Sequence, residues 1–312
     1  MIQPNLIQKM EALEGLKQID DKTINCIWID PPYNINYKYD EYKDTREDYF
    51  EWCLRWLKES YRVLKDDGSI FVKMWSRHLF KFNQCLEEAG FIFKNLIVWK
   101  RKSCANYSDK YLGGYEVIYF FSKTENNKYF PEGFLRDTQF LKRWDGTKEY
   151  KGRLNDLWDD IKPVTAGNLK HPEGIYVEGT GKKEHPAQHP EELVERSILC
   201  TTEEEDVVLD FFCGSGTTCA VCKKHNRQFI GFDISEKYVD VSNQRVREIS
   251  APKVITQNPM DFGSDKPNSF NMGLKVPTSS PPKLSPMEIT SPNPNIHRLR
   301  PNFEIGSLVR RK

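Results

Sequence analysis

Val207-Val208-Leu209-Asp210-Phe211-Phe212-Cys213-Gly214-Ser215-Gly216-Thr217-Thr218 reads as an apolar run of strand length, a carboxylate, a glycine-rich turn and the first residues of a helix. Open α/β sheets hold an adenosyl cofactor with that order of parts, because glycine lets the backbone approach the ligand at the helix start. The turn lacks the Gly-Lys-Ser/Thr ending of a nucleoside-triphosphate loop, which disfavours ATP chemistry. A second apolar run, Asn25-Cys26-Ile27-Trp28-Ile29, ends in Asp30-Pro31-Pro32-Tyr33-Asn34. Proline directly after a strand belongs where pairing stops. The segment offers a carboxylate oxygen, a proline carbonyl and an aromatic face, the groups needed to grip an exocyclic amine on a planar base. A glycine turn alone arises easily by chance; beside the much rarer Asp-Pro-Pro-Tyr it becomes specific.

Working outward, helical spacing predicts a helix over 6–18, and the apolar residues of 47–64 recur every three or four positions as in an amphipathic helix. Asp66-Asp67-Gly68 is expected to end it before a strand at 69–73. A helix at 78–89 closed by Gly90 precedes two strands, 91–99 and 115–121, read as a hairpin-like end to the sheet. Beyond residue 190 come helices at 191–201, 217–225 and 236–248, and a strand at 228–233 ending in Asp233. This alternation predicts an α/β fold, a doubly wound, mostly parallel Rossmann-like sheet.

The chain of 312 residues carries a net charge of +1, unlike a histone-like DNA coat, though compatible with a localised basic face. Its eight cysteines are scattered singly, mostly in apolar runs, which suits reduced thiols better than a disulfide framework. Cys213, Cys219, Cys222 and His225 lie close in sequence. Cys219, Cys222 and His225, set on one helix at two successive i, i+3 steps, cannot surround an ion tetrahedrally, so no metal is expected there. With no signal segment and no apolar stretch of spanning length, the chain is expected to be soluble and cytoplasmic.

Two stretches depart from the alternation. Within 101–183, Arg136, Lys142, Arg143, Lys148, Lys151 and Arg153 interleave with Phe140, Trp144 and Tyr150, a composition suited to a nucleic-acid surface. From 251 to 312 there are ten prolines, and nine Lys or Arg against four acidic residues, a surplus of five. That reads as a flexible, mildly basic tail. The expected organisation is a catalytic domain over 1–250, an insert over about 101–183, and the tail.

Asp30-Pro31-Pro32-Tyr33, then His185-Pro186-Ala187-Gln188-His189-Pro190, then Phe212-Cys213-Gly214-Ser215-Gly216 follow in an order that resembles the β group of DNA amino-methyltransferases, the circularly permuted enzymes of restriction–modification and orphan methylation systems. The resemblance covers nearly all of 5–248, with support from Leu157-Trp158-Asp159-Asp160-Ile161, the 191–198 helix and Phe229-Ile230-Gly231-Phe232-Asp233. It implies S-adenosylmethionine as cofactor, no metal, double-stranded DNA as substrate, and target recognition by the insert. It also leaves room for a cognate restriction endonuclease and a homodimer. Asp30, Pro31, Pro32 and Tyr33 are the implied catalytic set: Asp30 and the Pro31 carbonyl take the amine, and Tyr33 stacks on a base flipped from the helix. For the cofactor, the resemblance implies Gly214 and Gly216 at close approach with Phe212 and Thr217 in the same turn and Asp210 beneath. Asp233 is implied at the ribose hydroxyls, His185 and Gln188 at the amino-acid end, and Asp30 at the transferring methyl.

Three departures stand out. Phe211 replaces the family's usual proline, His189 replaces a lysine expected to grip the cofactor carboxylate, and Lys9-Met10-Glu11 replaces a Gly-Asp pair, leaving Glu11 as the substitute. Aspartate at position 30 favours adenine N6 as the acceptor. Cytosine N4 is the alternative within the same chemistry, and a non-catalytic DNA- and cofactor-binding relative is the alternative outside it.

Overall fold

Strands and helices alternate along the chain as β1 (Leu6–Lys9), α1 (Ala12–Lys17), β2 (Ile24–Ile29), α2 (Tyr49–Val63), β3 (Leu64–Met74), α3 (Leu79–Glu88), β4 (Ile92–Lys100), β5 (Tyr115–Ser122), β6 (Leu157–Trp158), α4 (Glu191–Ile198), β7 (Val207–Asp210), α5 (Thr217–Lys224), β8 (Gln228–Asp233) and α6 (Glu236–Glu248). The structure, a computed structural model, describes residues 2–37, 39, 44–101, 111, 113–131, 133–134, 154–164, 171–177, 179–180 and 183–249. All of them fall within the unit Met1–Ile255. Arg136, Lys142, Arg143, Lys148, Lys151, Arg153 and the 251–312 tail lie outside the described residues.

The strands form one sheet in the order β1-β8-β7-β2-β3-β5-β4-β6. The first five are parallel, and β5 runs antiparallel to both of its neighbours. The chain leaves β2 through α2 toward β3, whereas it leaves β7 through α5 toward β8 on the other side. The junction of β2 with β7, registered Cys26 to Val208 and Ile27 to Leu209, is therefore the topological switch point. Ligands of open α/β sheets bind outside the strand ends at such a point.

Both faces of the sheet are covered. One core joins Trp56, Leu57, Phe82, Tyr119, Phe121, Phe211 and Phe232 beneath α1, α2 and α3. The other joins Trp28, Phe71, Phe120, Trp158, Leu193, Cys219 and Phe229 beneath α4, α5 and α6. The six residues of β2 are all buried, which explains its continuous apolar reading. On α2 the buried residues Trp52, Cys53, Trp56, Leu57, Ser60 and Val63 follow the predicted helical stripe. Each fully buried large side chain contributes about 1.5–3 kcal/mol.

Two expectations are corrected. Residues 6–9 are not helical: they pair with β8 from Leu6 opposite Ile230 to Lys9 opposite Asp233. Helix α1 starts only after Glu11, whose side chain accepts from the Leu13 and Glu14 amides as its N-cap. In so short a stretch an apolar residue every second or third position fits either period, and an open sheet edge decided the outcome. Asp66-Asp67-Gly68 does not separate α2 from the next strand, because β3 already begins at Leu64 opposite Ile24 and runs through those residues after a register shift between Ile24 and Cys26. The expected hairpin of β4 and β5 forms, with β5 beside β3 and β4 beside the short β6. Among the described residues no helix is long and apolar enough to cross a membrane.

Candidate active site

At the end of β2 the chain turns outward at Pro31 and Pro32. The turn is fastened from outside: Tyr49 on α2 donates its hydroxyl to the Pro32 carbonyl at 2.8 Å, and His78 Nε2 meets the Tyr33 carbonyl at 2.7 Å. Asp44 accepts from the amides of Ile35 and Tyr37 at 3.2 and 2.6 Å. Asn34 and Asn36 supply the left-handed backbone of the loop, with φ of 57° and 60°, as this residue type tolerates. No group among the described residues donates to the Pro31 carbonyl.

The Asp30 carboxylate sits in a web of polar groups. Its Oδ2 accepts from Lys73 Nζ at 2.9 Å and lies 3.5 Å from His189 Nδ1. Its Oδ1 accepts from the Tyr33 hydroxyl at 2.7 Å, and that hydroxyl accepts from Lys73 at 2.7 Å. Burial alone would raise the proton affinity of Asp30, but the Lys73 ammonium and the adjacent His189 together outweigh it, and the carboxyl is held well below the usual carboxylate range. Burial lowers the His189 pKa more than Asp30 raises it, so the ring is neutral at pH 7. Burial and the neighbouring Asp30 raise that of Tyr33, which stays a hydroxyl.

At the end of β7 the glycine turn closes on β8 and α6. Cys213 N donates to the Phe232 carbonyl at 2.9 Å. Gly214 has φ 50°, and a Cβ there would stand 2.9 Å from His185 Nε2; Gly216 has φ 71°, and a Cβ there would stand 2.8 Å from the Ser242 Cβ. Both conformations are cheap only for glycine. Asp233 binds the turn from beneath, taking Gly214 N on Oδ2 at 2.8 Å and Ser235 N on Oδ1 at 2.9 Å. Asp210 is buried and accepts from Phe212 N at 3.0 Å. Desolvation, with the charges of Asp30 and Asp233 adding to it, raises the Asp210 pKa to about 7.

The two strand ends open into one cavity of about 780 Å³, lined by Asp30, Pro31, Pro32, Tyr33, Glu11, His185, Gln188, Phe212, Gly214 and Asp233 among others. Ten of the sequence-derived residues thus meet around one space. Asp210, Gly216 and Thr217 do not line it: Asp210 lies under the turn, and the Thr217 hydroxyl accepts from Arg245 at 3.0 Å. Gln188 is engaged in holding the preceding segment, donating to the Glu173 carbonyl at 2.6 Å and accepting from Ile175 N at 3.1 Å. Glu11 caps α1 through Oε2 alone. Within the cysteine cluster the Cys213 and Cys219 sulfurs stand 3.4 Å apart, while His225 is turned to Glu195. Among the described residues no group of three His, Cys, Asp or Glu could hold a metal ion.

Sequence reasoning missed Lys73, Glu116, Arg101, Tyr49 and His78. A signal existed for two of them: Lys73 and Glu116 are charges inside otherwise apolar strand runs, where a charge needs a partner. His189 is also relocated. It lies beside Asp30 with its ring on Trp28 at 4.6 Å between centroids.

Over residues 24–244 the sequence matches the DNA methylase family. The chain belongs to that family, in its N6/N4 amino-methyltransferase branch. The Type II methyltransferase M.BglII of Bacillus subtilis is 32% identical over 250 residues, 77% of this chain and 68% of the relative. M.HpaI of Haemophilus parainfluenzae is 32% identical over 238 residues, 75% of this chain and 72% of the relative. Among solved structures, the cytosine-N4-specific PvuII DNA methyltransferase superposes with a TM-score of 0.59 at 24% identity, over 78% of this chain and 88% of that one. The M1.HpyAVI–SAM complex gives 0.53 at 23%, over 77% and 98%. These two likenesses bear on the fold, the mostly parallel Rossmann-like sheet expected from the sequence. In this DNA methylase, then, the Asp-Pro-Pro-Tyr turn and the glycine turn face each other across the switch point.

Proposed function

We propose that this chain transfers a methyl group from S-adenosylmethionine to the N6 amine of an adenine flipped from duplex DNA, at a specific sequence, as the modification enzyme of a restriction–modification or orphan methylation system in the cytoplasm. One observation carries the reading: an ionised Asp30 and an undonated Pro31 carbonyl border the same cavity as Gly214. The amine is a weak nucleophile because its lone pair is delocalised into the ring. Donating its two N–H groups to Asp30 and Pro31 draws the nitrogen toward tetrahedral geometry and localises that pair, while Tyr33 stacks on the base. Asp30 and Pro31 would thus hold that nitrogen in line with the methyl group the cofactor would supply. Positioning supplies most of the acceleration.

The residues present fit the cofactor. It would supply an electrophilic methyl on a sulfonium, a cation, and acidic groups border the cavity: Asp30, Glu11 and Asp233 line it and Asp210 lies beneath the glycine turn. Asp233, which accepts from the Gly214 and Ser235 amides at the cavity wall, would hold the ribose hydroxyls. The close approach that Gly214 allows leaves room under His185, and Phe212 offers an apolar wall. Arg136, Lys142, Arg143, Lys148, Lys151 and Arg153 are proposed to hold DNA phosphates.

Aspartate at position 30 supports adenine over cytosine. The test is transfer from labelled S-adenosylmethionine to mixed genomic DNA, followed by nucleoside mass analysis. N6-methyladenine is the expected product. N4-methylcytosine alone would keep the mechanism and change the base, and no methylated nucleoside would overturn the reading.

A further inference from the structure

Lys73 is a cation in the middle of buried strand β3, its side chain only 6% exposed. Strand and core would be served by an apolar side chain, since a buried ion pair rarely stabilises more than well-packed hydrophobic residues. Three oxygens surround Nζ: Asp30 Oδ2 at 2.9 Å, the Tyr33 hydroxyl at 2.7 Å and Glu116 Oε2 at 2.9 Å. Glu116, on β5, is in turn paired with Arg101, at the edge of the insert. The strand order that sets β5 against β3 makes this chain of alternating charges possible, from the insert boundary to the acceptor carboxylate.

We propose that Lys73 is a positioning residue for methyl transfer: it fixes Asp30 Oδ2 and keeps the carboxylate ionised, so that Oδ1 is passed from the Tyr33 hydroxyl to the amine of the incoming base. The Tyr33 hydroxyl now occupies Oδ1 as a donor, the place the amine must take, and Lys73 already donates to that hydroxyl, which gives Tyr33 a second partner when its ring turns to stack. A protonated Asp30 would present an O–H donor in place of an acceptor, and the amine would lose its grip. The groups facing Asp30 are Lys73 and Glu116 from the sheet, Tyr33 and Tyr39 from its own loop, Tyr49 from α2, His189 before α4 and Asp210 on β7. Lys73 is the cation in contact with it, because His189 is neutral. This inference rests on the reading that Asp30 receives the amine.

The test uses the full chain, S-adenosylmethionine and methylatable duplex DNA. In Lys73→Met, cofactor Kd is expected to stay within about twofold, while kcat at pH 7 falls at least tenfold. The acid limb of the kcat–pH profile should rise by about one to three pH units, the effect of removing an adjacent cation from a carboxylate. Lys73→Arg should turn over more slowly but keep the limb where it was. A folded Lys73→Met with an unmoved limb, or Lys73→Arg with a limb raised by a unit or more, overturns the proposal. Should Lys73→Met fail to fold, the carbon-13 carboxyl signal of Asp30 in the unsubstituted protein, assigned with Asp30→Asn, decides. Its midpoint should lie below the usual carboxylate range, and one above about 4 would overturn the inference. Absence of any transfer by the unsubstituted protein would overturn the functional reading and this inference with it; transfer with an unmoved limb would overturn this inference alone.

Discussion

Replacing Asp210 by asparagine should make this protein more stable at neutral pH and worse at its work. Asp210 is 2% exposed and accepts from Phe212 N, and burial raises its pKa to about 7 from an ordinary 3.8. The difference is about three in pKa, and at about 1.4 kcal/mol for each it amounts to about 4 kcal/mol. Because the folded state binds the proton more tightly than the unfolded state, this stability is fully present below pH 3.8, declines as pH rises and is gone above about 7. The asparagine amide would keep an oxygen for the Phe212 N–H and has no proton to lose. Urea unfolding followed by tryptophan fluorescence at pH 5, 6, 7 and 8 reads the effect, with Trp56 packed 5.6 Å from Phe211 and 5.7 Å from Phe212 as reporter. The variant should be ahead by about 1.5 kcal/mol at pH 5 and by up to about 4 kcal/mol at pH 8. A cationic cofactor would draw Asp210 back to its ionised form, so binding near pH 7 should release a proton in the native protein and be weaker, without proton release, in the variant. Parallel pH profiles for the two proteins, or a less stable variant at pH 8, would refute the reasoning.

Three further outcomes are expected. Asp30→Ala should bring methyl transfer to background while cofactor affinity, by titration, changes less than about twofold; equal loss of both would remove Asp30 from the amine site. Gly214→Ala places a Cβ 2.9 Å from His185 Nε2 at φ 50°, a strain of about 1–2 kcal/mol, and should weaken cofactor binding about tenfold, with unchanged affinity counting against a close backbone approach. Arg196 is 1% exposed and joins Asp160 to Glu192. Because those carboxylates keep contact with water, Arg196→Ala should cost about 3 kcal/mol in urea unfolding, and a loss below about 1 kcal/mol would show that the pairings contribute little.

What could be read from the sequence was local. The Asp-Pro-Pro-Tyr and glycine turns each sit in one short stretch, directly after an apolar strand, and their residue types dictate backbone and chemistry together. Long amphipathic helices such as α2 were legible for the same reason, since Trp52, Trp56 and Val63 repeat on one face. Residues 6–9 were misread because four residues do not define a period, and the edge of the sheet beside β8 is set by the other end of the chain. The β3 start was misread because Asp66-Asp67-Gly68 looks like a turn, yet Leu64 and Lys65 are already extended beside β2. The partners of Asp30 were out of reach for another reason. Lys73 is 43 residues away and Glu116 reaches it through a strand order that spacing does not reveal. His189 stands in the motif where the family's lysine would grip the cofactor carboxylate, and the fold sets it on Trp28 next to Asp30, a placement the motif does not show.

The central claim is that Asp30 and the glycine turn together make this chain a methyltransferase of DNA amines. Its most direct test is nucleoside mass analysis of genomic DNA from a methylation-deficient bacterium expressing either the unsubstituted chain or Asp30→Ala. The account predicts N6-methyladenine with the first and none with the second. Methylated amine in both, or in neither while both proteins bind S-adenosylmethionine, would contradict it.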